Sequence, residues 1–255
     1  MRAIETMGLT RLFEGKPAVE DLALEVPAGA FYGFLGPNGA GKSTTIRMLT
    51  GLLAPSSGEA RVLGVDLSKD GVDVRRRIGV VLDPLSLFER LSGAEQLRIH
   101  GQLYGLERRE AARRADELLA ALELAGDAGK LVGDYSHGMK KKLALGCALI
   151  HGPELLFLDE PFEGIDALAV TGIRRMLQDL VARGAMTIFL TSHVLEVVER
   201  LVTHVGIIRQ GRLAAQGTLE EVRGAASLEE VFIRTVGEER PPAQALSWLG
   251  RGPGP

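Results

Sequence analysis

Nine consecutive residues near the start of the chain have the types and the spacing that bind phosphate groups. They follow the pattern G-x-x-x-x-G-K-[ST], in which glycines let the backbone come close to phosphate oxygens. The residues are Gly36, Pro37, Asn38, Gly39, Ala40, Gly41, Lys42, Ser43 and Thr44. Lys42 supplies a positive charge for the outer phosphates, and Ser43 offers a hydroxyl to Mg²⁺. The pattern predicts that the chain binds a nucleoside triphosphate.

The segments on either side of this loop are those needed to position it. An apolar run at residues 31–35 predicts a buried strand before the loop, and residues 42–53 predict a helix after it. The positive end of the helix dipole would then point at the bound phosphates.

Two adjacent carboxylates follow a second apolar run, at residues 155–158. Asp159, expected one residue past that strand, suits Mg²⁺ coordination directly or through water. Glu160 is then free to polarise a water molecule in line with the γ-phosphate. The pair predicts that the bound triphosphate is hydrolysed.

Composition and charge exclude several other functions. A formal net charge of −3, from 30 basic and 33 acidic residues mixed along the chain, argues against a nucleic-acid partner. The single cysteine, Cys147, lies in an apolar run and is expected to be a small buried hydrophobe. No apolar stretch reaches the roughly 18 to 20 residues that cross a bilayer. We therefore expect a soluble chain that reaches a membrane only through another protein.

Alternating apolar runs and helical patterns predict an α/β fold around a mostly parallel sheet. Core strands are expected at residues 31–35, 78–82, 155–158, 187–190 and 205–209. Residues 3–13 and 19–26 predict an antiparallel β part at the N-terminus, and residues 92–124 are helical in pattern. The expected organisation is one domain over residues 1–236, with a helical subdomain inserted at about residues 84–150. Residues 237–255, rich in Pro, Gly and Ala, are expected to be a disordered tail.

Taken together, these motifs resemble those of the ATP-binding cassette family. Tyr-Ser-His-Gly-Met at residues 135–139 is similar to the family signature in Ser136 and Gly138, and His193 matches its switch histidine. The resemblance implies a phosphate-loop NTPase fold, ATP and Mg²⁺ as ligands, and Glu160 and His193 as catalytic residues. It also implies that Ser136 and Gly138 bind the γ-phosphate held by a second copy or a paralogous subunit. Ser136 would also be the N-cap of its helix, and this structural role is expected with or without phosphate binding.

The roles of three further residues are left open by the sequence. Phe13 lies where the family places an aromatic ring on adenine, although a core phenylalanine would also fit. Asp166 is either a residue of the dimer interface or simply a helix N-cap. Asp83 stands where the family usually has a glutamine that binds Mg²⁺, and it is retained as a candidate ligand. A shorter, charged group there could alter the metal geometry or the hydrolysis rate.

The resemblance is greatest to the bacterial drug-resistance and polysaccharide exporter subgroup. It implies an ATPase subunit that closes as a dimer and drives an integral membrane permease, peripheral on the inner, cytoplasmic face of the membrane. The alternative is a soluble ATPase of the same family in translation or DNA repair. A GTPase is disfavoured, because the only asparagine is Asn38 and guanine selection commonly uses an Asn-Lys-x-Asp element.

Overall fold

The structure is a computed structural model that describes residues 1–184 and 186–237. Its strands are β1 (Arg2–Phe13), β2 (Lys16–Leu22), β3 (Glu25–Pro27), β4 (Phe31–Leu35), β5 (Ser57–Val62), β6 (Val65–Asp66), β7 (Ile78–Val81), β8 (Leu155–Asp159), β9 (Thr187–Ser192), β10 (His204–Arg209) and β11 (Arg212–Thr218). Its helices are α1 (Lys42–Leu49), α2 (Leu67–Arg77), α3 (Gly93–Leu103), α4 (Arg108–Ala121), α5 (His137–Leu149), α6 (Ala167–Ala182), α7 (Leu195–Glu199), α8 (Leu219–Arg223) and α9 (Leu228–Val236). Two short 3₁₀ helices, Ala125–Asp127 and Val132–Asp134, precede α5.

The central sheet has six strands in the order β11-β10-β4-β9-β8-β7. All of its neighbouring strands are parallel except the pair β10 and β11. Alternate residues of β4 enter different cores: Phe31 and Leu35 pack on one face of the sheet, and Tyr32 and Phe34 on the other. Both faces are buried, which explains why the strand is an unbroken apolar run and not an alternating one.

The carboxyl ends of three central strands meet at one edge of this sheet. Leu35 at the end of β4 pairs with Ser192 of β9, and Asp159 at the end of β8 pairs with Thr191. Parallel neighbours end on the same side, so the segments that follow them are brought together. The phosphate loop, Glu160 and His193 therefore lie at this edge.

A smaller antiparallel sheet covers one face of the central sheet. Its strands run β2-β1-β5-β6, with β3 also paired to β1. Residues of β1, β2 and β5 share one apolar core with Phe34 of β4 and with Ile46 and Leu49 of α1. This sheet thus packs beside the helix that follows the phosphate loop.

The opposite core contains the helical segment, from which α5 returns to the central sheet. The first of these helices, α3, begins with a capping box in which Ser92 and Glu95 exchange hydrogen bonds. A Cβ added at Gly146 of α5 would lie 3.1 Å from a methyl of Leu97 on α3. A Cβ at Gly79 of β7 would lie 2.2 Å from the carbonyl oxygen of Ala148 on α5. Close packing therefore fixes α5 to both the helical segment and the central sheet.

The observed architecture agrees with the predicted α/β fold, with local corrections at the ends of several elements. The helix expected over residues 42–53 ends at Leu49, because the Thr50 N–H closes the last turn and Gly51 follows with a φ of 71°. The strand expected over residues 78–82 ends at Val81, and Asp159 is the last residue of β8 and not the residue after it. The N-terminal residues 19–26 form two short strands, β2 and β3.

Two other expectations concern the membrane and the tail. Among the described residues, no helix is long and apolar enough to cross a membrane. The tail predicted for residues 237–255 lies, after Gly237, outside the described residues.

Candidate nucleotide site

The phosphate loop joins the end of β4 to the start of α1. Gly39 and Gly41 have φ values of 79° and 109°, in the left-handed region that favours glycine. A Cβ at Gly41 would lie 2.5 Å from the carbonyl oxygen of Ala18, and one at Gly36 would lie 2.5 Å from that of Ile208. Gly36 and Gly41 are therefore required by close packing against the neighbouring backbone, as well as by the predicted approach of phosphate.

Lys42 lies folded back over the loop that precedes it. Its Nζ donates hydrogen bonds to the carbonyl oxygens of Gly36 at 2.8 Å and Pro37 at 3.3 Å. The side chain is only 7% exposed, and its ammonium is 3.7 Å from Oε1 of Glu160. The lysine predicted to bind phosphate and the predicted general base thus lie within one small site.

Glu160 has an unusual backbone conformation. Its φ is 47°, in the left-handed region, which costs about 1–2 kcal/mol for a residue with a side chain. Its N–H approaches both the carbonyl oxygen and the Oγ1 of Thr191 at 3.2 Å. Its own carbonyl oxygen accepts a hydrogen bond from Lys141 Nζ at 2.7 Å. The surrounding structure holds the strained conformation, as is common at functional sites.

The carboxylate of Glu160 lies between the phosphate loop and the segment after β9. Oε1 faces Lys42, while Oε2 accepts a hydrogen bond from the His193 N–H at 3.2 Å and lies 3.0 Å from His193 Nδ1. His193 remains about half exposed, with 48% of its side-chain surface accessible. Its ring can therefore contact both Glu160 and a ligand that enters the site.

Asp159 is the buried carboxylate of the pair, with 3% of its surface exposed. The Thr191 hydroxyl donates to Asp159 Oδ1 at 2.6 Å, which orients the carboxylate at the end of β8. The donor set of Asp159 and the Ser43 hydroxyl is oxygen only and suits Mg²⁺. In the described part of the chain, no three His, Cys, Asp or Glu side chains form a cluster that could hold a metal alone. A Mg²⁺ ion bound with ATP would take most of its ligands from phosphate and water.

The signature residues Ser136 and Gly138 lie at the N-terminus of α5. Ser136 is the N-cap, and its Oγ accepts a hydrogen bond from the Met139 N–H at 3.2 Å. Among the described residues outside the first turns of α5, the nearest atom to a Cβ added at Gly138 is the carbonyl oxygen of Gly164, at 3.9 Å. The N-cap interpretation is confirmed, and the helix terminus leaves room for an anion from outside the chain.

Phe13 is the last residue of β1, and the residue is 44% exposed. The alternative of a core phenylalanine is therefore wrong. The Arg11 guanidinium lies 4.7 Å from the centre of the ring, on one of its faces. An exposed ring fits the predicted adenine platform, which stays a prediction.

Asp166 and Asp83 remain candidates with different surroundings. Asp166 is the N-cap of α6 and accepts the Ala169 N–H at 2.9 Å, so its structural role is confirmed and its interface role stays a prediction. Asp83 is exposed just after β7, where its charge acts on the ammonium of Lys141. The predicted Mg²⁺ ligand Asp83 thus lies near Lys141, whose ammonium also interacts with Asp159 and Glu160. The sequence analysis did not identify this lysine.

Lys141 is the main site residue that the sequence analysis missed. It is 4% exposed on α5, and burial lowers the pKa of its ammonium, while the carboxylates of Glu163, Asp83, Glu160 and Asp159 oppose that shift. It is the middle one of three consecutive lysines, Lys140 to Lys142, and the composition of such a run does not show which lysine is buried. The helical period was the available signal, because only the middle lysine lies between the apolar positions of α5 that face the sheet.

Cys147 is also buried on α5, as predicted. Burial raises the pKa of its thiol to about 12, so the group is protonated and unreactive at neutral pH.

This chain matches a protein-family model and is similar to known bacterial proteins. The family model described as "ABC transporter" matches residues 19–163, which include the phosphate loop, the signature and the Asp159-Glu160 pair. The bacitracin transport ATP-binding protein BcrA of Bacillus licheniformis is 41% identical over 219 residues, covering 86% of this chain and 69% of that protein. The daunorubicin/doxorubicin resistance ATP-binding protein DrrA of Streptomyces peucetius is 42% identical over 233 residues, covering 91% and 70%.

A solved structure described as the ATP-binding subunit of an ABC transporter has the same fold. It superposes with a TM-score of 0.85 at 32% sequence identity, covering 91% of this chain and 99% of that one.

Replacing Lys42 by Ala should weaken ATP binding about 100-fold or more, because the charge-assisted contact with the phosphates is lost. Titration calorimetry with ATP measures the change. Lys69→Ala is the matched control, since Lys69 is an exposed lysine of α2 paired with Asp66. An unaltered affinity in the Lys42 variant would remove the phosphate-loop assignment.

Proposed function

The chain belongs to the ABC transporter family, and from this premise we propose that it is the ATP-hydrolysing subunit of a bacterial exporter. The observation that carries the proposal is the position of Glu160, whose carboxylate lies between Lys42 of the phosphate loop and His193. A base beside the phosphate-binding lysine is what hydrolysis of a terminal phosphate requires.

The residues of this chain divide the work of hydrolysis among them. The loop N–H groups and Lys42 bind the phosphates, and the exposed ring of Phe13 stacks on adenine. Mg²⁺, held by Ser43, Asp159 and Asp83, would neutralise charge on the phosphate oxygens. Glu160 orients the attacking water and takes its proton, while His193 holds Oε2 of Glu160 and reaches toward the γ-phosphate.

A second chain completes the site. The open space at Gly138 and the N-terminus of α5 suit the γ-phosphate of ATP bound to the opposite subunit. ATP would then join two subunits, and hydrolysis would remove the group that joins them. The partner is a second copy of this chain or a paralogous subunit.

We propose that the membrane subunit docks beside the segment after β7 that contains Asp83. A cavity of about 310 Å³ lies there, lined by Leu85 after β7, Tyr104 at the end of α3, and Leu52. Leu52 and Phe88 are each 59% exposed, which leaves apolar surface available for a partner. Movement of the helical segment would carry the signal from the ATP site to the permease, on the inner face of the membrane.

Export as the direction of transport is supported by the relatives. One is named for bacitracin transport and the other for daunorubicin and doxorubicin resistance, so the exported compound is proposed to be an antibiotic-like molecule. These relatives give no support to the alternative of an ATPase in translation or DNA repair.

Replacing Glu160 by Gln should leave ATP bound and lower hydrolysis at least about 100-fold, because the isosteric amide cannot accept the proton. With ATP and Mg²⁺ the variant should elute as a stable dimer in size-exclusion chromatography with light scattering. Glu196→Gln, at an exposed glutamate of α7, is the control. A purely monomeric Glu160 variant under these conditions would count against the dimer, and full hydrolysis would count against the base.

Replacing Asp83 by Ala should raise the Mg²⁺ concentration for half-maximal hydrolysis about 10-fold, because one oxygen ligand is lost. A Mg²⁺ titration of the ATPase rate at saturating ATP measures it. Asp116→Ala serves as the control, since Asp116 is an exposed carboxylate of α4 paired with Arg98. Superimposable titrations of the Asp83 variant and the unmodified chain would make Asp83 a loop residue only.

A further inference from the structure

Lys141 is a buried cation that the proposed hydrolysis does not yet use. The residue is 4% exposed, and its Nζ donates a hydrogen bond of 2.7 Å to the carbonyl oxygen of Glu160. A buried ammonium carries a large desolvation cost, so it persists only where other groups compensate for it. A residue of this kind next to a proposed general base requires a functional explanation.

The contact joins the two halves of the proposed composite site. Lys141 lies on α5, five residues after its N-cap Ser136, which is about 7.5 Å along the helix axis. The N-terminus of this helix is proposed to meet the γ-phosphate on the opposite subunit, while Glu160 acts on the ATP of its own subunit. A single side chain thus connects the contact with one ATP to the base for the other.

Glu160 needs such a contact because of its backbone conformation. With a φ of 47°, the residue would relax toward an extended or right-handed conformation if its hydrogen bonds were removed. Thr191 holds the N–H side of the residue, and Lys141 holds the carbonyl side. Rotation of this backbone would turn the carboxylate away from Lys42 and His193.

The charges around Lys141 favour a cation at this position. The carboxylates of Glu163, Asp83, Glu160 and Asp159 all interact favourably with its ammonium. Lys42 approaches Glu160 from the side of the phosphate loop, and Lys141 approaches it from the side of α5. The glutamate is therefore held between two cations that lie on different elements.

We propose that Lys141 is a positioning residue that couples the N-terminus of α5 to the carboxylate of Glu160. A phosphate bound at Ser136 and Gly138 would fix α5, and Lys141 would transmit that position to the Glu160 backbone. The alignment of the base seen in the single chain would then be held more firmly when the opposite subunit is in place. This inference rests on the proposed function, because it takes Glu160 as the base.

The test is the steady-state ATPase rate of the full chain carrying Lys141→Met, which keeps most of the length of the side chain but removes the donor and the charge. We expect kcat to fall about 10- to 100-fold while KM for ATP stays within about twofold, because alignment is lost and nucleotide binding is not. Lys141→Arg keeps a cationic donor and should recover a large part of kcat. Lys142→Met is the matched control, since Lys142 pairs with the exposed Glu123.

Wild-type kcat in the Lys141→Met variant, or an equal loss in Lys142→Met, would overturn the proposal. So would a rise in KM as large as the fall in kcat, or an Arg variant as slow as the Met variant. Thermal unfolding checks that each variant is folded. If Met is not tolerated, Lys141→Gln takes its place with the same expected split, because the shorter amide carries no charge, and wild-type kcat in that variant likewise overturns the proposal.

Glu160→Gln distinguishes a failure of the coupling role of Lys141 from a failure of the proposed function. If that variant is inactive while Lys141→Met is fully active, the coupling role is wrong and the proposed function stands. If Glu160→Gln is itself fully active, the assignment of the base is wrong.

Discussion

The placement of Glu160 by groups from three separate elements is the constraint on which the site depends. Thr191 at the end of β9 holds its N–H, Lys141 of α5 holds its carbonyl oxygen, and Lys42 at the start of α1 faces its carboxylate. None of these groups is near Glu160 in the sequence, so the strained backbone exists only in the folded chain. The parallel sheet makes the arrangement available, because it ends three strands at one edge, and the close packing of α5 on β7 brings the lysine to the same place.

The departure from the family resemblance at position 83 is linked to Lys141 by charge. The family leads one to expect glutamine at position 83, and this chain has an exposed aspartate whose charge acts on Lys141. An additional negative charge near Asp159 and Glu160 would raise their mutual repulsion, and a buried lysine on α5 lowers it. Asp83 is therefore best considered together with Lys141, as an acid and a base that balance each other beside the metal ligands. His137, between Ser136 and Gly138 of the signature, packs against Gly164, where an added Cβ would lie 2.6 Å from the imidazole ring.

Local patterns predicted most of the fold and the parts of the site that are contiguous in sequence. The buried strands before Gly36 and at Asp159 were evident because both faces of a parallel sheet are covered, which produces uninterrupted apolar runs. The end of α1 was misplaced because the apolar residues Leu52 and Leu53 extend the helical pattern beyond Gly51. Lys141 and Thr191 were missed because their roles arise from contacts between distant elements. Three successive lysines do not indicate by composition which of them faces inward.

The central claim is that the phosphate loop of one chain and the signature of another form a single site, and mixing two defective variants tests it most directly. Lys42→Ala destroys the loop. Gly138→Asp places a carboxylate against the incoming phosphate, at a helix N-terminus that tolerates a negative charge. Each variant alone should be inactive. Their equimolar mixture should hydrolyse ATP at about one quarter of the wild-type rate, since half of randomly formed dimers are mixed and each mixed dimer retains one of two complete sites. A mixture no more active than its separate components, or a Gly138→Asp variant that is active alone, would contradict the claim.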